Sequence, residues 1–332
     1  MAATVYRDED ADLALVRSRR VAVVGYGNQG SAQALNLRDS GVRELRVGNR
    51  DDAYREQALR DGFEVLAIPD AVRWGQVVLL LIPDEDQPAV FAEQVAPNLD
   101  GDDALVVASG YNVAFGLLDV PEGVDVVMVA PRMIGAGVRE RYRRGEPYPC
   151  FVSVERDASG GALALALSLA KGIGATRGGA IGSSAREEAA LDLFSEQAVW
   201  PVILATFRSA YEVLHEAGFS DEAILNELYL SKEPAEVFER IAEQGLFGQL
   251  PLHSHTSQFG QLRALAADDG RWLAERFRSV LHDAILSGRF ASEWSAEQEA
   301  GLAHLERLRA EAEASPIAQA EARVAKPWNT RG

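Results

Sequence analysis

The chain contains a single cysteine, Cys150, in 332 residues, which excludes an intramolecular disulfide and fits a reducing, cytoplasmic setting. Positive charge is also scarce. Lysine and arginine number 33 against 50 aspartates and glutamates, a formal net charge of −17. Such a surface is not built for nucleic-acid phosphates or anionic membranes; its simplest consequence is solubility. No apolar run approaches the roughly 18 residues of a membrane span. Residues 1–12 carry four acidic side chains and no apolar core, so they do not read as a signal peptide. The second half lacks a repeat of about 30–45 residues and is not a solenoid. What remains, at 47% hydrophobic and 25% charged residues, is a globular protein long enough for two domains.

Short β-branched apolar runs alternate with amphipathic stretches through the first half, the rhythm of a parallel α/β sheet. Residues 20–25, 45–48, 77–82, 104–108, 124–129 and 150–154 read as strands, and residues 31–40 and 53–61 as helices. Five glycines in KGIGATRGGAIGSS, residues 171–184, end this rhythm. From about Ala185 nearly everything has helical periodicity. The domains are therefore expected at 1–182, α/β, and 183–332, all-α.

The first strand runs into VAVVGYGNQGS, which sets Gly25, Gly27 and Gly30 in a GxGxxG pattern where a strand meets a helix. Glycines there allow a tight turn and close backbone approach, and the helix N-terminus faces a pyrophosphate. With a strand before it, a helix after it and a second strand about 20 residues on, the pattern predicts a Rossmann-like dinucleotide site. The second strand ends at Asn49, Arg50, Asp51 and Asp52. Arginine at that place accommodates the 2′-phosphate of NADPH, whereas an acidic residue holds the ribose hydroxyls of NADH. Arg50 comes first and favours NADPH, with NADH as the alternative. Asp51 and Asp52 read equally well as an N-cap for the helix that follows.

In REEAALDLFSEQAV, Asp192 and Glu196 fall one helical turn apart among Leu191, Leu193, Phe194, Ala198, Val199 and Trp200. Two carboxylates on one helical face can hold a hard divalent cation. Carboxylates embedded in apolar sequence need a partner, and a metal is a ready one.

These motifs, with LLLIPDEDQ, VMVAPR, DASGGALALALSLAKGIGATRGG and PIAQAEARVAKPW in the same order and similar spacing, resemble the ketol-acid reductoisomerases of the short, bacterial class. The resemblance spans residues 15 to 328. It implies a Rossmann-like domain, a knotted all-helical domain, a dimer whose helical domains interlock, and two Mg²⁺ ions. The implied reaction is a Mg²⁺-dependent alkyl migration in an acetohydroxy acid followed by NADPH reduction of the new 2-oxo acid, a step of branched-chain amino-acid synthesis. Carried over residue by residue, it assigns metal binding to Asp192, Glu196 and Glu227, and the substrate carboxylate to Ser254. Cofactor contacts fall on Gly25, Tyr26, Gly27, Asn28, Gln29, Gly30, Arg50, Asp84, Glu85, Asp86, Gln87 and Gly135. The carboxylate expected four residues after Glu227 is replaced by Ser231; Glu233 could stand in only across a bulged helix. Two further departures lie where the family does its chemistry. AHGFN reads ASGYN, with Ser109 for histidine, and APKGPG reads APRMIG, with Arg132 for lysine and Met133-Ile134 for glycine-proline. Serine does not titrate near neutrality and arginine lends no proton. The candidate catalytic residues are thus Asp192, Glu196, Arg132 and Ser109.

Other features carry plainer readings. His215, His253 and His255 read as solvent-facing rather than as a zinc site. Ser109 lacks a nucleophile elbow and reads as a hydrogen-bond donor or spacer. Cys150 reads as a small core residue, and residues 293–325 as one solvated amphipathic helix, with a dimer contact as the lesser alternative. Three functions follow: an NAD(P)H-dependent, Mg²⁺-assisted reductase of a small 2-oxo acid with an altered substrate, a complete reductoisomerase, or a non-catalytic dinucleotide-binding relative acting as a partner subunit.

Overall fold

The computed structural model describes residues 2–268 and 270–328. Among these the first half folds into one sheet: β1 (Val5–Tyr6), β2 (Val21–Val24), β3 (Leu45–Gly48), β4 (Glu64–Leu66), β5 (Val77–Leu80), β6 (Ala104–Val107), β7 (Asp125–Pro131), β8 (Cys150–Arg156) and β9 (Ala180–Gly182). Their spatial order is β1-β9-β8-β7-β6-β5-β2-β3-β4. From β4 to β7 neighbouring strands are parallel, with Val24 of β2 beside both Gly48 of β3 and Leu80 of β5. β8 runs antiparallel to β7, β9 parallel to β8, and β1 antiparallel to β9. The order reverses at β2, so successive crossovers leave in opposite directions and open a crevice at the carboxyl ends of β2 and β5.

Every residue of β2, β5 and β6 is buried. Successive side chains point to opposite faces. Val21, Val23, Val77 and Leu79 therefore join one core, and Ala22, Val24, Val78 and Leu80 the other. Continuous apolar runs are what a sheet covered on both faces requires, and each such valine or leucine stabilises the fold by roughly 1.5–3 kcal/mol. Cys150 lies in this core, fully buried. Its thiol is pushed up to about 12 by burial, which makes it inert. The first crossover helix is Asn28–Asp39, beginning before the expected residue 31. Gly27 already serves as its N-cap, and the Ser31 N–H closes the first turn on the Gly27 carbonyl at 3.0 Å.

The chain divides into two compact units, residues 1–192 and 193–332. The division falls within the helix Ala185–Phe194, beyond the glycine-rich connector. The second unit is helical, with a small core of Tyr211, Ile224, Leu225, Ala320 and Val324. Polar ties edge this core: Tyr211 donates to Asp221 at 2.9 Å, and Arg323 pairs with Asp221 at 2.7 Å. The single helix expected over residues 293–325 is three: Arg289–Glu299, Ala303–Glu313 and Pro316–Trp328. Gly301 (φ 75) and Leu302 (φ 63) take left-handed backbone between the first two, a conformation that no right-handed helix continues through. Pro316, which lacks an N–H, opens the third. Among the described residues no helix is long and apolar enough to cross a membrane.

Candidate functional site: a dinucleotide crevice and an ionic cluster

The three glycines of the GxGxxG turn do different work. Gly25 has φ 94, and a Cβ there would lie 2.6 Å from Ile82 Cγ2 and 2.8 Å from the Leu81 carbonyl. At Gly30 a Cβ would lie 2.1 Å from the carbonyl oxygen of Gly25. These two glycines let helix and strand close on each other. Gly27 has nothing within 4 Å; it leaves its backbone bare toward the crevice, where a pyrophosphate can approach a helix N-terminus. Nearby are Gly25 to Gln29, Asn49, Arg50, Asp52, Asp84, Asp86, Gln87 and Ser109, lining a cavity of about 460 Å³.

Two of the residues expected at this crevice are placed otherwise. Glu85 is not among its lining residues. Gly135, at the start of the helix Gly135–Arg144, packs against the back of the turn, where a Cβ would lie 1.9 Å from the Asn28 carbonyl oxygen. Tyr26 lines the crevice with its side chain buried. Its ring is buried edge-on to Phe63 with centroids 5.6 Å apart, and its hydroxyl donates to Asp61 at 2.9 Å.

Beyond the end of β3, Asp52 is the N-cap of the helix Ala53–Arg60 and accepts from the N–H groups of Tyr54 and Arg55 at 2.9 and 3.1 Å. It also accepts from Asn49 Nδ2 and from Arg50 Nε, each at 2.9 Å. Burial works to raise its carboxyl, but these donors outweigh it and hold the group below the usual carboxylate range. Arg50 itself is three-quarters exposed, with its side chain at 75%, over the mouth of the crevice. Asn49 marks the end of the strand in the sequence, which gives it no role of its own. It is buried, accepts from the Tyr26 N–H at 3.1 Å, and so ties the glycine turn to the end of β3.

The other end of the crevice is built from the loop after β6. Ser109 donates to Asp84 Oδ2 at 3.2 Å, and Asn112 donates to the Asp84 carbonyl at 2.9 Å and to Gln87 Oε1 at 3.0 Å. Burial raises the Asp84 carboxyl, and the bond from Ser109 opposes that rise. Gly110 follows because a Cβ there would lie 2.3 Å from the Ala185 carbonyl oxygen. Its N–H donates to Glu188 Oε2 at 2.7 Å.

Glu188 is the second contributor that the sequence reading passes over. Its signal is the same four-residue spacing, now one turn before Asp192. The side chain is 2% exposed. Burial pushes its carboxyl up, against the pull of Gly110 and Arg132. The Arg132 guanidinium donates through one terminal nitrogen to Glu188 and through the other to Asp192, and it lies 5.0 Å from the centre of the Phe151 ring. The partner of Asp192 within one chain is thus an arginine.

The other expected ligands lie in the second unit. Glu196 and Glu227 are exposed, each within a π turn, Ser195–Val199 and Asn226–Leu230; such turns are frequent at functional sites. After the second of these, Lys232 takes φ 68 before the helix Glu233–Gln244, so the regular spacing from Glu227 to Glu233 is interrupted. Of the apolar neighbours of Asp192 and Glu196, Leu193 and Ala198 are buried whereas Leu191 and Trp200 are exposed. Ser254 is the N-cap of the helix His255–Ala267, accepting from the Ser257 N–H. His215 bonds Asp221 and His253 bonds Gln249. Among the described residues of a single chain, no group of three His, Cys, Asp or Glu side chains is placed to hold a metal ion.

Residues 15–179 match the family described as acetohydroxy acid isomeroreductase, NADPH-binding domain, and residues 186–329 match the ketol-acid reductoisomerase C-terminal domain. The ketol-acid reductoisomerase (NADP⁺) of Methanopyrus kandleri is 42% identical, over 98% of each chain. That of Pyrobaculum aerophilum is 40% identical, over 95% of each. The solved structure of an NADH-preferring ketol-acid reductoisomerase from an uncultured archaeon superposes with a TM-score of 0.90 at 32% identity, covering 97% of this chain and 98% of that one. Joined to the GxGxxG crevice and the sheet order around it, these likenesses show that the chain belongs to the ketol-acid reductoisomerase family of NAD(P)H-dependent oxidoreductases.

Proposed function

We propose that this protein reduces a small, chelating 2-oxo acid with NADPH, and that it carries out the preceding alkyl migration of a 2-hydroxy-3-oxo acid less readily. The single observation that carries the second clause is the Arg132 fork on Glu188 and Asp192. Migration needs proton relays beside the reacting alkoxide. Here the position is filled by a guanidinium that gives up no proton, and Ser109 is turned to Asp84. Reduction asks mainly for an aligned hydride and an oriented carbonyl.

In this reading Asp192, Glu196 and Glu227, contributed by two copies of the chain, would hold Mg²⁺; carboxylate oxygens suit that hard cation. When bound, the ion supplies Lewis-acid polarisation of the substrate carbonyl. Ser254 keeps its hydroxyl proton to donate to the substrate carboxylate, since its lone pair serves the Ser257 N–H. A homodimer is supported by the large apolar side chains that one chain leaves open in the helical unit, among them Leu204 (65%), Phe247 (60%), Phe259 (68%) and Trp272 (58%) exposed, which a second copy could cover. A cytoplasmic location fits the lone, buried thiol. The complete reductoisomerase is the second reading, favoured by similarity to enzymes of that name over nearly the whole chain.

NADPH oxidation measured with Mg²⁺ on 2-acetolactate and on the preformed 3-hydroxy-2-oxo acid separates the readings. The preformed acid is expected to turn over at least about a hundredfold faster, the lower end of what one general acid–base contribution supplies. Equal rates would establish the complete reaction. No oxidation with either acid would leave a dinucleotide-binding protein without this activity.

For the cofactor, Arg50→Ala is expected to weaken NADPH by about 1.5–3 kcal/mol, the worth of charge-assisted bonds to a 2′-phosphate, and NADH much less. Fluorescence titration with both cofactors reads this directly. Equal losses would mean that Arg50 only stacks on adenine. A marked NADH preference in the unaltered protein would move the assignment to Asp51 or Asp52.

A further inference from the structure

Asp192 already has a cation. Arg132 is held on three sides: by Glu188, whose side chain is 2% exposed, by Asp192, at 44%, and by the face of Phe151. A guanidinium is planar, does not deprotonate, and carries its donors in a rigid fork. One prong is committed to Glu188, which Gly110 N–H fixes from the other side at 2.7 Å, so the other prong is aimed at Asp192 without further ordering.

A divalent cation that takes Asp192 must displace that prong or accept a like charge at contact distance on the same carboxylate. Both lower its affinity. We propose that Arg132 is an intramolecular competitor for the divalent cation at Asp192, setting metal affinity by occupying the ligand before the metal arrives. This rests on the assignment of Asp192 as a ligand. Lysine at this position behaves differently, because it ends in one compact ammonium and lacks the two separate nitrogens with which Arg132 reaches Glu188 and Asp192 independently. It would stay with the buried Glu188, whose charge has no solvent to fall back on, and release Asp192.

The test is Mn²⁺ binding to the cofactor-free full-length protein, followed by the electron paramagnetic resonance signal of free Mn²⁺ and requiring no turnover. Arg132→Lys is expected to bind Mn²⁺ about tenfold more tightly, the effect of one charge-assisted hydrogen bond no longer displaced. Glu188→Gln leaves the guanidinium a single carboxylate to hold, so Mn²⁺ should bind about threefold or more weakly. This variant keeps the acceptor for Gly110 and serves if the lysine variant does not fold. Asp192→Asn should abolish the binding in either background. Unchanged or weaker affinity in Arg132→Lys, or unchanged affinity in Glu188→Gln, with Asp192→Asn still abolishing binding, overturns the competition and leaves the ligand assignment standing. Unchanged affinity in Asp192→Asn removes the assignment, and the competition with it.

Discussion

Gly30→Ala is expected to lower NADPH affinity at least about a hundredfold, a loss of roughly 3 kcal/mol, and to lower stability as well. The added methyl would stand 2.1 Å from the Gly25 carbonyl oxygen and 2.9 Å from its carbon. Both are backbone atoms, so no rotamer relieves the clash. Gly25 cannot retreat, because its own φ of 94 and the wall formed by Leu81 and Ile82 hold it. The turn must open, at about 1–3 kcal/mol or more for overpacking. Gly27→Ala is the control: nothing lies within 4 Å of its Cβ, so the melting temperature should hold while NADPH binding falls. Fluorescence titration and thermal melts of both variants check the pair. Affinity within threefold of the unaltered protein for Gly30→Ala would show that the turn does not seat the pyrophosphate.

The second large effect is expected at Glu188. Truncation to alanine leaves the Gly110 N–H without its acceptor and Arg132 with one carboxylate instead of two. Removing one member of a buried ion pair costs about 3–5 kcal/mol, because the remaining charge stays desolvated. Glu188→Gln keeps an acceptor for Gly110 and should lose only about 1–2 kcal/mol. Urea unfolding at constant cofactor concentration measures both. An alanine variant within about 1 kcal/mol of the parent would show that the cluster is solvated and contributes no more than a surface pair.

Much of the first unit is written in local pattern. The valine-rich runs at 21–24, 77–80 and 104–107 could be read as strands because a sheet covered on both faces demands continuous apolar side chains. The spacing of Gly25, Gly27 and Gly30 announced the turn, and at Gly25 and Gly30 only glycine tolerates the backbone approach. Asp52 could be read two ways, and its capping of the helix Ala53–Arg60 is a matter of local hydrogen bonds. The helices at the other end were less legible. Periodicity runs through residues 293–325 without a gap, and the breaks at Gly301-Leu302 and before Pro316 shift the helix axis without changing the amphipathic rhythm.

What the sequence by itself determined, then, is the alternation of strand and helix, the glycine turn at the end of β2 and the family to which those motifs point. All three rest on contacts between residues close in the chain or on backbone conformations that one residue type permits. Only the tertiary structure decided which charges meet. Asp192 looked like a carboxylate awaiting a metal, yet 60 positions separate it from the arginine that holds it. Glu188 looked like one acid among several, yet its turn of helix is covered by the loop after β6, 78 positions away at Gly110. Burial and ion pairing are set by which surfaces the sheet brings together, and no spacing along the chain records that.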